Sequence, residues 1–392
     1  MSNTGNFKHI TQECRSTTML LLGATLVISL LMGCTKGTKD KQITGWTEDL
    51  IIQPEKTGSE ECVIRDAVFI PGREGILING LDEVFWLYSS TTTEPIAFKG
   101  HTACVSKIDV NFDGSQVVTK SGDGTIRLWS AKTGKALFTL ITLDRFDLWF
   151  AKFSPNGDRV VGNGESGSAR VWSTESGNEI MTLGGHETNG QKVDVIYGQF
   201  SPDGRRILTG TSNAVHVWSA DTGEKIAVLG NENLKLFSAE FSADSNRIVT
   251  AASDYTARIW SAETGQELSI MRGHSASVHD AHFNAESNSV VTRADDQTVR
   301  VWSAQSGKEI SVFGVPNSYL KTVQFSPDGK FILTSNDDKF VRVWSAKTGK
   351  ELAALKGHQH ELLSAKFNFD GTKVLSVSAD ETVRLWSLHF ED

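Results

Sequence analysis

His101, Thr119, Asp123 and Trp129 bring an imidazole, a hydroxyl and a carboxylate into one short stretch of this chain. Those groups could form a hydrolase constellation, with the hydroxyl as nucleophile, the imidazole as its base and the carboxylate holding the imidazole. The same set returns as His274, Thr292, Asp296 and Trp302, and again as His358, Ser376, Asp380 and Trp386. An active site is recognised by a unique nucleophile, so three identical sets point away from catalysis. The repetition itself is what has to be explained.

Tryptophan sets the period. Trp86, Trp129, Trp172, Trp218, Trp260, Trp302, Trp344 and Trp386 are separated by 43, 43, 46, 42, 42, 42 and 42 residues, which is the signature of a repeat architecture. IRLWSAKTGKAL from Ile126 returns as ARIWSAETGQEL from Ala257 and VRVWSAKTGKEL from Val341. Each unit holds four strand-like segments, such as VSKIDV, QVVTKS, TIRLW and KALFTL between residues 105 and 140, separated by Gly, Asp and Asn. No long helix fits after residue 34. A four-stranded sheet of this size cannot bury both faces alone, so its neighbours must cover it, and radially packed blades do this. The expectation is an all-β chain folded as a β-propeller of four-stranded blades.

The two ends decide the blade count, because a ring must close without a raw strand edge. Only SLHFED follows Trp386, so the last unit lacks its outer strand, while LIIQ at Leu50 is spare before the first inner strand. An N-terminal strand completing the last blade gives eight blades over residues 46–392. Seven blades with an irregular N-terminal appendage is the alternative.

Gly-His precedes the inner strand at His101, His186, His274 and His358, and Trp follows 28 residues later in three of the four. This pattern resembles the WD-repeat family, over nearly all of residues 46–392. One departure is uniform: the Asp expected after Trp is Ser at positions 130, 173, 219, 261, 303, 345 and 387, and Trp86 is followed by Leu87. The resemblance implies that each His, Thr or Ser, Asp and Trp set is a structural hydrogen-bond tetrad that satisfies buried polar atoms. Some units keep only part of it. Thr250, Asp254 and Trp260 have Asn231 in place of His, and Thr334, Asp338 and Trp344 also lack one. Blade 3 carries Asp144 where His is expected and Ser166 where Asp is expected.

At the N-terminus, Lys8 and Arg15 precede an apolar run over residues 19–32 that ends in Gly33-Cys34. Fourteen residues are short for a membrane span, and the run reads as an export signal. Gly before Cys, followed by a polar stretch, resembles the lipobox of bacterial lipoproteins. That implies a signal peptide over 1–33, lipidation of Cys34, a tether over 34–45 and the propeller from 46. Thr35 after the cysteine implies the periplasmic face of the outer membrane.

The formal charge is −8, and losing residues 1–33 removes Lys8, Arg15 and Glu13, which makes the mature chain one unit more acidic. Nucleic acid is a poor partner for such a surface. Arg127, Arg170, Arg258, Arg300, Arg342 and Arg384 stand two residues before Trp and read as solvated strand faces. No Cys/His cluster has metal-ligand spacing and no phosphate-binding loop is present, so no metal or cofactor is expected. Of the four cysteines only Cys62 and Cys104 remain for pairing. Their registers differ by one residue on strands that are not hydrogen-bonded to each other, so a disulfide is not expected.

Partner contacts are sought where the repeats differ. Phe146, Trp149 and Phe150 in RFDLWF, with Tyr197 after the long loop that starts at His186, could form an aromatic anchor for a protein partner. The competing reading is inner-strand packing, since Leu148 and Ala151 fall on core positions. Asp66, Asp109, Lys152, Gln199, Glu240, His282, Gln324 and Lys366 are expected to line the channel. The functional expectation is a scaffold for other cell-envelope proteins, anchored to the membrane by lipid, with no catalytic residues and no small-molecule substrate. The alternative is a periplasmic enzyme or small-ligand receptor with its site at the channel mouth.

Overall fold

The computed structural model describes residues 43–53, 62–79, 83–89, 94–142, 148–164, 167–188, 190–230 and 234–391. Cys34 and the proposed leader and tether up to residue 42 lie outside them.

Alternation decides the strands. In Thr125–Ser130, Ile126 and Leu128 face one side and Trp129 the other, and all three are buried. A strand buried on both faces needs a neighbour on each side. The chain supplies them as eight antiparallel four-stranded sheets: blade 1 over 67–98, blade 2 over 105–142, blade 3 over 151–183, blade 4 over 197–230, blade 5 over 236–272, blade 6 over 278–314, blade 7 over 320–355 and blade 8 over 362–390. Blade 8 is completed by the N-terminal strand Ile43–Ile52, which pairs antiparallel with Val383–Phe390. The spare strand at Leu50 therefore closes the ring, and it begins as early as Ile43.

The core is divided like the sheets. Eight hydrophobic clusters each join two neighbouring blades. Ile64, Ile76 and Ile78 of the first blade meet Leu375, Val377 and Val383 of the last, so the final interface is as apolar as the others. From Trp129 onward each repeat tryptophan packs towards the preceding blade: Trp129 against Phe85 and Phe98, Trp386 against blade 7. The Thr-Gly or Ser-Gly hairpin after each Trp from Trp129 to Trp344 tucks the same way. Gly134 has φ +68°, and a Cβ there would lie 2.5 Å from the carbonyl oxygen of Ala97 on the outer strand of blade 1.

Cys62 and Cys104 form a disulfide with Cα atoms 5.5 Å apart, which corrects the expectation that they stay unpaired. The one-residue offset is absorbed because Cys62 lies in irregular backbone before the inner strand Ala67–Phe69. Asn79 draws the two entrances together. Its carboxamide oxygen accepts from the backbone N–H of Arg65 and Asp66, and its amide donates to the Val105 carbonyl at the start of blade 2.

Candidate functional site

The three complete sets have one geometry. His101 Nδ1 lies 2.8 Å from Asp123, His101 Nε2 lies 2.7 Å from the Thr119 hydroxyl, and Trp129 Nε1 donates to that hydroxyl at 2.8 Å. His274, Thr292, Asp296 and Trp302 repeat this at 2.9, 2.7 and 2.8 Å. His358, Ser376, Asp380 and Trp386 do so at 2.9, 2.8 and 2.8 Å. One assignment of protons satisfies every atom: indole N–H to hydroxyl, hydroxyl to Nε2, and Nδ1–H to carboxylate. Burial would raise the aspartates, yet the bonds they accept outweigh it, holding Asp123 well below the carboxylate range and bringing Asp296 and Asp380 down to about 2. Burial also lowers His274 and His358, favouring neutral imidazoles. Thr119, Thr292 and Ser376 are 0% exposed. A hydroxyl that already accepts from an indole and is sealed from solvent has no path to a substrate.

Incomplete blades are braced by substitutes. In blade 5 Trp260 donates to Thr250 at 2.9 Å, and Asp254 pairs with Arg258 at 2.6 Å instead of a histidine. Blade 7 does the same through Trp344, Thr334, Asp338 and Arg342. The arginines before Trp also reach glutamates on the outer strand, as Arg170 reaches Glu179 and Arg342 reaches Glu351, so they are cross-strand partners as well as surface. Blade 3 has Gly162 at the hydroxyl position, and Ile126 and Trp172 occupy the space a side chain would need. Asp144, Ser166 and Asn231 fall outside the described residues.

Blade 4 holds a set that repeat spacing misses. His186 Nε2 meets the Thr209 hydroxyl at 2.7 Å, Trp218 donates to it at 2.7 Å, and the Gly167 carbonyl takes the place of the aspartate at 2.9 Å from Nδ1. His216 stacks on Trp218, and its buried Nδ1 has no partner. Burial brings His186 down to about 4 and His216 to about 3. The four extra residues of this repeat displaced His186 from the spacing that marks the others.

The channel residues pair between adjacent blades. Lys152 reaches Asp109 at 2.8 Å, His282 reaches Glu240 at 2.6 Å, and Lys366 reaches Asp66 at 2.7 Å. Gln199 and Gln324 donate to the carbonyls of Ala239 and Ala365. Burial would lower His282, but Glu240 and Asp280 outweigh it and push it up to about 9. A cavity of ≈ 590 Å³ beside His282 also holds the ion pair of Asp280 with Arg293. Its hydroxyls are engaged, Ser326 by Asp328 and Thr322 by Ser335. Among the described residues no three His, Cys, Asp or Glu side chains converge on a metal position.

The aromatic residues at the channel mouth divide. Phe150 is buried in the cluster between blades 3 and 4, its ring filling the space beside Gly198. The Tyr197 ring lies over Gly210, with its hydroxyl buried and unpartnered. Trp149 is 49% exposed. Phe146 lies outside the described residues. Among the described residues of this group, Trp149 is the one that faces solvent.

The model of the WD domain, G-beta repeat, matches residues 92–130, 177–219, 223–261, 265–303, 307–345 and 349–387. The chain belongs to the WD40 repeat family. The matched segments run from the outer strand of one blade to the Trp strand of the next, and the Trp strand of blade 3, with Gly162 and no described histidine, lies outside them. Two curated relatives, eukaryotic translation initiation factor 3 subunit I of Caenorhabditis briggsae and of Caenorhabditis elegans, are each 41% identical over 44 residues. That is 11% of this chain and 14% of either relative. The computationally designed Ika8 protein superposes with TM-score 0.71 at 25% identity, covering 84% of this chain and 98% of that one. The C-terminal WD40 domain of Sif2 superposes with TM-score 0.74 at 17% identity, covering 88% and 99%, a likeness of fold.

Within this WD40 ring a further device went unread in the sequence. A polar residue late in the second strand of a blade donates to the carbonyl that opens the next inner strand. Asn79 bonds Val105, Lys120 bonds Leu148, Asn163 bonds Val195 and Arg293 bonds Leu320. The residue types differ, and Asn79 stands seven residues before its Trp where Lys120, Asn163 and Arg293 stand nine before theirs, so neither type nor spacing marks the whole set.

Proposed function

We propose that this WD40 propeller is a membrane-tethered protein-interaction scaffold of the bacterial cell envelope, lipidated at Cys34 and without catalytic activity. One observation carries it: the repeated catalytic-looking sets are sealed hydroxyls that brace each blade internally, which leaves faces and edges for function. The disulfide between Cys62 and Cys104 supports an oxidising compartment, the lipobox-like Gly33-Cys34 supports a lipid tether, and Thr35 after it supports the periplasmic face of the outer membrane. The curated relatives are named as a subunit of a larger factor. Membership of an assembly is what we carry over from a match one repeat long, not translation. Cell-envelope proteins are the partners in this reading, and nucleic acid and small-molecule substrates are not.

The test is labelled-palmitate incorporation and membrane fractionation of the wild-type chain and Cys34→Ala, followed by chemical crosslinking in intact envelopes. Label and membrane retention lost in Cys34→Ala, with one protein crosslinked to the wild type, are expected. A membrane-bound, folded protein with no crosslinked protein would move the function to the channel cavity at His282.

A further inference from the structure

Where blades 1, 2 and 3 meet at the channel mouth, a cavity of ≈ 290 Å³ opens between the inner-strand entrances. Its walls combine two kinds of surface. Trp149 and Val63 offer apolar area that is 49% and 42% exposed. Arg65 and Lys120 add cations, and Lys107, 58% exposed, stands close enough to act on Lys120. Among the described residues no carboxylate lines the cavity. Asp66 nearby is buried, engaged by Lys366 at 2.7 Å and more loosely by Lys107 at 3.8 Å, and Asp109 is engaged by Lys152.

Lys120 is the telling residue. Its ammonium is buried and donates to the Leu148 carbonyl, a bond that in blade 3 is made by a neutral asparagine. An ammonium carries three donors and a full charge, and bridging two blades uses one donor and no charge. Burial, with Lys107 and Arg65 as neighbours, brings it down to about 8, the strain expected of a cation lacking a counterion. On a chain with formal charge −8, a concentrated positive pocket flanked by an exposed tryptophan selects a partner of opposite sign.

We propose that this pocket docks an acidic segment of a protein partner, with a carboxylate entering between Arg65 and Lys120 and an adjacent aliphatic or aromatic side chain lying on Trp149 and Val63. The inference rests on the scaffold reading and gives its partner a chemistry.

The experiment is calorimetry on the full chain with a blocked ten-residue peptide carrying Glu-Glu-Leu-Glu-Phe in a Gly-Ser frame, beside its Gln-for-Glu counterpart. The acidic peptide is expected to bind at about 100 µM or tighter, and about threefold more weakly once salt is raised to about 300 mM. The Gln counterpart on the wild type, and the acidic peptide on Arg65→Glu, Lys107→Glu or Trp149→Ala, should each bind about tenfold more weakly. These three side chains are exposed, and a cooperative melt of each variant will show that it folds; Lys107→Glu, which sets a carboxylate beside the buried Asp66, should melt lower than the other two. No binding to the wild type, equal binding of the Gln peptide, or indifference to all three substitutions overturns the proposal. Displacement by acetate at about 10 mM also overturns it, in favour of a free-anion site. A protein partner crosslinked equally by wild type and variants would sink this pocket and leave the scaffold standing.

Discussion

The ammonium of Lys366 lies 2.7 Å from the carboxylate of Asp66, 300 residues earlier in the chain, and joins the last blade to the first. Asp66 is 3% exposed. Burial would raise its carboxyl, but Lys366 and Lys107 outweigh that and hold it below the ordinary value. Lys366→Met should leave it with Lys107 at 3.8 Å and cost about 2 kcal/mol in denaturant unfolding. Asp66→Asn in the same background should recover part of the loss. The contribution is present above the ordinary carboxylate pKa and lost as pH falls through the depressed folded value, so wild type and Lys366→Met should converge in strong acid.

Removing a tetrad hydroxyl strands two buried groups at once. Thr119→Val, Thr292→Val and Ser376→Ala should each lose about 2–3 kcal/mol in stability, measured by urea unfolding. Similar losses from three blades, with partner binding intact, are the mark of a structural role. A loss of function confined to one of the three, without a stability change, would count against it.

The disulfide links positions 42 residues apart. Reduction, or a Cys62→Ala and Cys104→Ala pair, should cost about 4 kcal/mol by the chain-entropy estimate. Thermal melts with and without reductant measure it, and the double variant should be indifferent to reductant.

Blade 4 should set the acid limit. His186 and His216 stay neutral down to about 4 and about 3 when folded, while an unfolded histidine takes a proton near 6.5. The unfolded state therefore binds more protons between those values. Stability present above about pH 6.5 should fall as pH drops towards 4. His216→Leu removes one such group and an unpartnered buried nitrogen. Its stability should change by less than about 1 kcal/mol at pH 7, with a shallower fall in acid, as read by denaturant midpoints across pH.

Much of the fold was legible because one spacing carries it. The tryptophan period and the missing outer strand after Trp386 lead to eight blades closed by the N-terminal strand, as found. What stayed hidden depends on backbone that does not repeat. The pairing of Cys62 with Cys104 follows from irregular chain drawn in by Asn79. The His186 set was displaced by the loop over residues 184–196, which includes the hairpin Glu187–Thr188 with Gln191–Lys192. Phe150 and Tyr197 turn inward because Gly198 and Gly210 leave room for rings, and a glycine signals such room only once its neighbour across the blade is known. The lysine at position 120 was visible as a residue, but its burial and its carbonyl partner belong to the fold.

The most direct test of the scaffold account places a photocrosslinking amino acid, one position at a time, in the native host. Positions 149 and 319 lie at the channel mouth, and positions 112 and 369 lie in the opposite turns. All four side chains are exposed. The account predicts that a mouth position, in the membrane-bound chain, yields one dominant protein adduct that the opposite turns do not. Absence of a protein adduct from every position, with the propeller folded and tethered, would contradict it.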